Sequence, residues 1–242
     1  GFNNTFAEGL YRQVQMTHDF DLPGVVVNYS WPSLGNPLGY VHDRDSALVA
    51  RDGLQQLLEQ VARTRAQRIV LVAHSMGGFL TMETLRQMGR DGRGPVWEKI
   101  SPVVLLAPDV DLDVFKAQAR ATVGLPQPFI VFASASDRAL MLSSRLSGQE
   151  VRLGSVGTLD DLEGLGVTVI DTTELGDGDR YNHLTAVTSP AAIAVLSNLG
   201  GYQAALNADQ VPEGVLPGTV NLVRNATRLV LSPLGLLLPP VE

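Results

Sequence analysis

Apolar runs alternate with helical patterns along most of the chain. Residues 5–18 carry helical spacing. Pro23-Gly24 then breaks into Val25-Val26-Val27-Asn28-Tyr29, which predicts a short buried strand, and a Pro/Gly-rich loop covers 32–40. Ala47, Leu48, Leu54, Leu57, Leu58 and Val61 recur at helical spacing and predict a long amphipathic helix over about 44–64. The apolar runs at 69–73, 103–107 and 129–133, and the stretch Val167-Thr168-Val169-Ile170, predict buried strands. A helical pattern from Phe79 ends at the loop Asp91-Gly92-Arg93-Gly94-Pro95. Ser189-Pro190 has the form of a helix start, serine as N-cap and proline at the first helical position, with the helix running to about 199. Strands of this kind alternating with helices build a mostly parallel sheet flanked by helices, an α/β fold. In such sheets the chemistry sits at the carboxyl ends of the strands.

No repeat and no interdomain linker interrupts residues 1–204, which read as one domain. The tail, 205–242, is rich in proline and poor in regular pattern. Its run 229–238 is strongly apolar but too short and broken to span a bilayer. It is expected to pack on the domain or to make an interface, with a membrane-surface contact as the less favoured form of the latter. Composition narrows the chemistry. A net charge of −7 argues against a nucleic-acid partner. With no cysteine, thiol catalysis, disulfides and cysteine-based metal sites are excluded. No metal constellation, phosphate-binding glycine loop or flavin motif is visible, so no cofactor is expected. The chain opens at Gly1 in the middle of a motif, which predicts that N-terminal strand sequence is missing from it. Any targeting signal would lie further upstream, and the compartment, cytoplasm or bacterial envelope, stays open.

The chemistry centres on Ile69-Val70-Leu71-Val72-Ala73-His74-Ser75-Met76-Gly77-Gly78. A buried strand that ends on a serine, followed by small residues and a helix, is the geometry of a nucleophile elbow. Ala73 stands where the first glycine of G-x-S-x-G is usual, the mildest replacement. The other reading is a serine that merely caps the helix. A serine hydroxyl needs a base, and the base needs a carboxylate to orient it. Of the four histidines, His18 and His42 precede Ser75 and His74 adjoins it. His183, in a polar loop after the last strand, remains as the base. Asp137, after the strand at 129–133, is the favoured acid. Asp109 is its rival, in a cluster with Asp111 and Asp113 that suits a helix start. The oxyanion hole takes the backbone N–H of Met76 and, from the Gly1-Phe2-Asn3-Asn4 loop, that of Phe2. Alternatively, or as well, that loop caps the first helix through Thr5.

Gly1-Phe2-Asn3-Asn4, Ser30-Trp31-Pro32-Ser33, Gly39-Tyr40 with Asp43-Arg44-Asp45-Ser46-Ala47, Ala73-His74-Ser75-Met76-Gly77 and Ala107-Pro108-Asp109-Val110-Asp111 together carry a resemblance. Over residues 1 to about 200 the chain resembles a bacterial α/β-hydrolase family of uncharacterised function, often labelled esterase/lipase-like. The resemblance implies an α/β-hydrolase fold and a Ser–Asp–His triad, here Ser75, Asp137 and His183. It supplies no natural substrate.

The stretch 109–127 leaves no room for a helical cap, so a shallow, open site is expected. Trp31 either lines the cleft as a substrate-binding residue or packs beneath the 32–40 loop. Asp43 and Arg44 read as a structural ion pair or cap. The expectation is a serine hydrolase acting on a small-molecule carboxylic ester through an acyl-enzyme. Thioesterase, lactonase, peptidase and acyltransferase chemistry would use the same groups. A non-catalytic envelope-associated binding module on the same fold is the rival from another class.

Overall fold

The computed structural model describes residues 2–19, 24–90, 94–147, 151–155, 162–173, 220–223 and 226–230. In chain order the elements are α1 (Phe6–Asp19), α2 (Tyr40–Ala62), β1 (Ile69–His74), α3 (Met76–Gly89), α4 (Pro95–Lys99), β2 (Ile100–Leu106), α5 (Leu112–Arg120), β3 (Phe129–Ala133), α6 (Arg138–Ser147), β4 (Val167–Asp171), β5 (Val220–Val223) and β6 (Ala226–Val230). The strands form one sheet in the order β1-β2-β3-β4-β6-β5. β1 through β4 are parallel, β6 runs parallel to β4, and β5 closes an antiparallel hairpin with β6.

The apolar runs become strands because both faces of the sheet are covered. All five residues of β3 are buried, as are all of β2 except Ser101. Phe115 of α5 packs on Phe129 of β3 with ring centroids 6.0 Å apart. α2 turns one face inward through Tyr40, Asp43, Ala47, Leu54 and Leu58, the three- and four-residue spacing of a helix. α1 opens with a capping box: Glu8 N–H donates to Thr5 Oγ1, and Thr5 N–H donates back to Glu8 Oε2.

Two expectations are corrected. The predicted strand at 25–29 joins no sheet. The segment is extended, and Val25 is 93% exposed. A β-branched run favours extended backbone, but a strand needs a ladder partner, and none of the described residues supplies one. Its anchor is Tyr29, whose hydroxyl donates to the Ala50 carbonyl of α2 at 2.6 Å. Conversely, the tail read as irregular contributes β5 and β6 to the sheet. The helix predicted after Ser189-Pro190 lies outside the described residues.

Candidate active site

Ser75 follows the carboxyl end of β1, beside the carboxyl end of β2. Its backbone sits at φ 55°, ψ −124°, between the end of β1 and the start of α3. For a residue with a β-carbon this conformation costs about 1–3 kcal/mol and persists only where the surroundings over-determine it. They do so here. Ser75 N–H donates to the Leu106 carbonyl at 3.0 Å, and the Ser75 carbonyl accepts from Gly78 N–H at 2.9 Å and Asp109 N–H at 3.1 Å. The sheet neighbour, the helix and the loop after β2 thus all hold the turn.

The small residues around it follow from crowding. A β-carbon on Gly78 would stand 2.9 Å from Pro108 Cβ. One on Gly77 would meet the Ala73 methyl at 3.8 Å and Trp31 Cη2 at 3.9 Å. Alanine at 73 therefore fits without displacing the turn. Met76 is 1% exposed and begins α3, so its N–H belongs to the first turn, which has no earlier carbonyl of the helix to bond.

Backbone strain gathers at this end of the molecule. Among the described residues the non-glycine positions with positive φ are Asn3 (55°), Ser75 (55°) and Ala107 (42°). Ala107 leads from β2 into Pro108-Asp109, and its N–H donates to the Phe132 carbonyl at 3.0 Å.

The two candidate acids occupy different surroundings. Asp109 is 5% exposed and fully engaged. Its Oδ2 accepts from Tyr40 Oη at 3.0 Å; its Oδ1 accepts from Ser143 Oγ at 2.8 Å and lies 3.3 Å from Arg152 Nε. Arg152 is itself buried and donates through Nη2 to the Ser143 carbonyl and Tyr40 Oη. Burial, and next the Asp109 charge, push the Tyr40 phenol up to about 12, so it stays a protonated donor. Asp137 follows β3 through Ser134-Ala135-Ser136, is fully buried, and accepts Leu140 N–H on Oδ1 at 3.0 Å.

Phe2 is half-buried, its ring edge-on to Tyr40 with centroids 5.3 Å apart. Trp31 packs against the core beside Gly77, and its buried Nε1 has no hydrogen-bond partner among the described residues. His18 lies in the last turn of α1, and His42, on the first turn of α2, places Nδ1 3.4 Å from Asp43 Oδ1. His183 lies outside the described residues.

Residues 1–199 match the model of a family described as "Alpha/beta hydrolase of unknown function (DUF900)". The chain belongs to this family. No curated protein and no solved structure matches it. The mostly parallel sheet flanked by helices is thereby the fold of an α/β-hydrolase whose substrate the family description leaves open.

Several residues of this candidate site carry no signal in the sequence. Tyr40, Ser143 and Arg152 come from α2, α6 and the segment before the 3-10 turn Leu153–Ser155, and no spacing announces their meeting. Asp43, expected to form a structural ion pair with Arg44 or a cap, keeps a structural role with other partners. Instead of pairing with Arg44, it accepts from Asn3 N–H at 3.3 Å, Ser33 Oγ at 2.5 Å and Leu34 N–H at 2.8 Å, while Arg44 lies over the Phe79 ring at 4.8 Å. Burial works to raise the Asp43 pKa, but these hydrogen bonds outweigh it and hold the carboxyl below the ordinary range. A polar sequence neighbour of an arginine looks like its partner; the true partners are two loops away. Among the described residues no group of three or more acidic or histidine side chains could hold a metal ion, and no helix is long and apolar enough to cross a membrane.

Proposed function

We propose that this α/β-hydrolase cleaves carboxylic esters through a Ser–His–Asp triad. Ser75 Oγ attacks the acyl carbon while His183 takes its proton. The negative charge that develops on the carbonyl oxygen is met by the Met76 and Phe2 N–H groups. His183 returns the proton to the leaving alcohol as the acyl-oxygen bond breaks, leaving an acyl-Ser75. Water, deprotonated by His183, then attacks that acyl carbon, and the collapse releases the acid and free Ser75. Asp137 orients the imidazole and balances its charge. Trp31 lines the acyl or alcohol side of the cleft.

The observation that carries the reading is the Ser75 backbone at φ 55°, pinned by three hydrogen bonds at the strand–helix junction. A serine serving only as a helix cap would place its side chain on the first-turn N–H groups, and Ser75 makes no such cap bond. Assigning the acid role to Asp137 draws support from the occupation of Asp109, whose two oxygens are taken by Tyr40, Ser143 and Arg152. Hydrolysis of short p-nitrophenyl esters, with labelling by a fluorophosphonate, tests the proposal. Ser75→Ala is expected to abolish both while leaving the melting transition in place. Retained turnover in that variant would overturn the mechanism.

A further inference from the structure

The geometry points to Asp43 as a positioning residue that latches the Phe2-Asn3 turn, and with it the second oxyanion donor, onto the rest of the site. The inference rests on the ester-hydrolase reading above and extends it to a residue that contacts no reacting atom.

Asp43 lies on the first turn of α2 and is fully buried. A buried carboxylate is costly unless its lone pairs are occupied. Here they are occupied from separate parts of the chain. Oδ2 accepts from Asn3 N–H at 3.3 Å and from Ser33 Oγ at 2.5 Å, and Oδ1 accepts from Leu34 N–H at 2.8 Å, with His42 Nδ1 3.4 Å away. One side chain thereby ties the N-terminal turn, the loop after Trp31 and α2 together.

The turn it holds bends at Asn3, which has φ 55°, a left-handed conformation that asparagine tolerates. Besides the Asp43 bond to its own N–H, the turn is closed by Asn4 Nδ2 donating to the Phe2 carbonyl at 2.9 Å. The same end of α2 also sets the side chain of Phe2. Tyr40 packs edge-on to the Phe2 ring and donates to Asp109, whose N–H bonds the Ser75 carbonyl. An unbroken line of contacts thus runs from Phe2 through Tyr40 and Asp109 to the elbow. Asp43 fixes the backbone of the turn and Tyr40 its side chain. An oxyanion donor works only when already aimed, because reorienting it during the reaction forfeits the stabilisation. Loss of Asp43 would free the Asn3 backbone to relax, and the Phe2 N–H would drift from its aim without disturbing substrate binding.

The test compares the wild-type chain with Asp43→Asn, which keeps the shape but sets an NH2 group against a donor. The expected result is a fall of about 10- to 100-fold in kcat for p-nitrophenyl acetate, part of the effect of removing an oxyanion donor outright, with KM within about twofold. Hydrogen exchange at the amides of residues 2–4 is expected to accelerate in parallel. A role confined to stability would lower the melting temperature and leave kcat per folded molecule unchanged. An unchanged kcat, or unchanged exchange at residues 2–4, overturns the latch. Should Asp43→Asn fail to fold, Ser33→Ala, which deletes one donor to the carboxylate, is read by the same two measurements. A wild-type chain that neither turns over nor reacts with fluorophosphonate overturns the hydrolase reading instead, and the exchange measurement still judges the latch by itself.

Discussion

Replacing Asp109 by asparagine separates a structural carboxylate from a catalytic one. The change keeps the shape and removes the charge. In the folded protein the carboxylate, 5% exposed, meets Tyr40 Oη, Ser143 Oγ and the guanidinium of Arg152, which is 2% exposed. Without the carboxylate that guanidinium is a buried positive charge facing an amide. Breaking a buried pair by removing one partner costs about 3–5 kcal/mol. For a chain of this size each kcal/mol moves the melting temperature by about 2–4 °C, so a drop of about 6–20 °C is expected. Turnover per folded molecule should fall far less, because the bond from Asp109 to the Ser75 carbonyl uses the backbone N–H, which survives. Asp137→Asn is the mirror case. It should lower kcat by about 10⁴, the effect of leaving the base in the wrong tautomer, and move the melting temperature by only a few degrees. Far-UV circular dichroism melts and p-nitrophenyl acetate turnover, normalised to folded protein, measure both. The assignment is refuted if Asp109→Asn melts like the wild type while losing turnover, with Asp137→Asn remaining active.

Gly154→Ala should destabilise by about 1–3 kcal/mol or more, because its β-carbon would stand 2.5 Å from Leu140 Cδ1 and 2.9 Å from the Ala107–Pro108 backbone; chemical denaturation reads this, and a neutral result would mean the loop yields freely. Glu83 binds Arg86, Arg51 and Gln118 across α3, α2 and α5, so Glu83→Ala should lower stability by about 1–3 kcal/mol, leaving the Gln118 amide buried without its acceptor. Acid should act through the same groups. Burial works to raise the pKa of Asp43 and of Glu83, but hydrogen bonds, joined at Glu83 by the charges of Arg86 and Arg51, hold both below their ordinary 3.8 and 4.5. Their stabilisation is complete above those ordinary values and is lost as pH falls through the lower folded ones. Melting temperature should therefore decline on acidification below about pH 4.5, with a shallower decline in Glu83→Gln.

The parts of the fold that were legible in the sequence are those whose signal is local. Five apolar residues in a row at 129–133, aromatic and β-branched among them, have the length and composition of a strand buried on both faces, and β3 occupies those positions. The Ser75 turn was legible because strand, serine and small residues are consecutive. Tyr40, Ser143 and Arg152 were not, since a network closed across such separations leaves no trace in spacing. Asp109 and Asp137 both follow a strand, and only their partners distinguish them. Val25-Val26-Val27 carried strand propensity without a strand's neighbours, whereas the alternation in Val220-Asn221-Leu222-Val223 was obscured by the proline-rich tail around it.

The place of β6 in the sheet has a kinetic consequence. Val167 pairs with Ala226 and Asp171 with Val230, so one flank of β4 is completed by a segment made long after it. During synthesis β1 to β4 can assemble first, from contacts closed by short crossovers, while the outer amides and carbonyls of β4 wait for the hairpin to emerge. Until then that edge is a template for any strand that meets it. The high contact order of the β4–β6 pairing makes its closure a slow late step. A chain terminated before β6 is thus expected to exchange strands and aggregate more readily than the finished one.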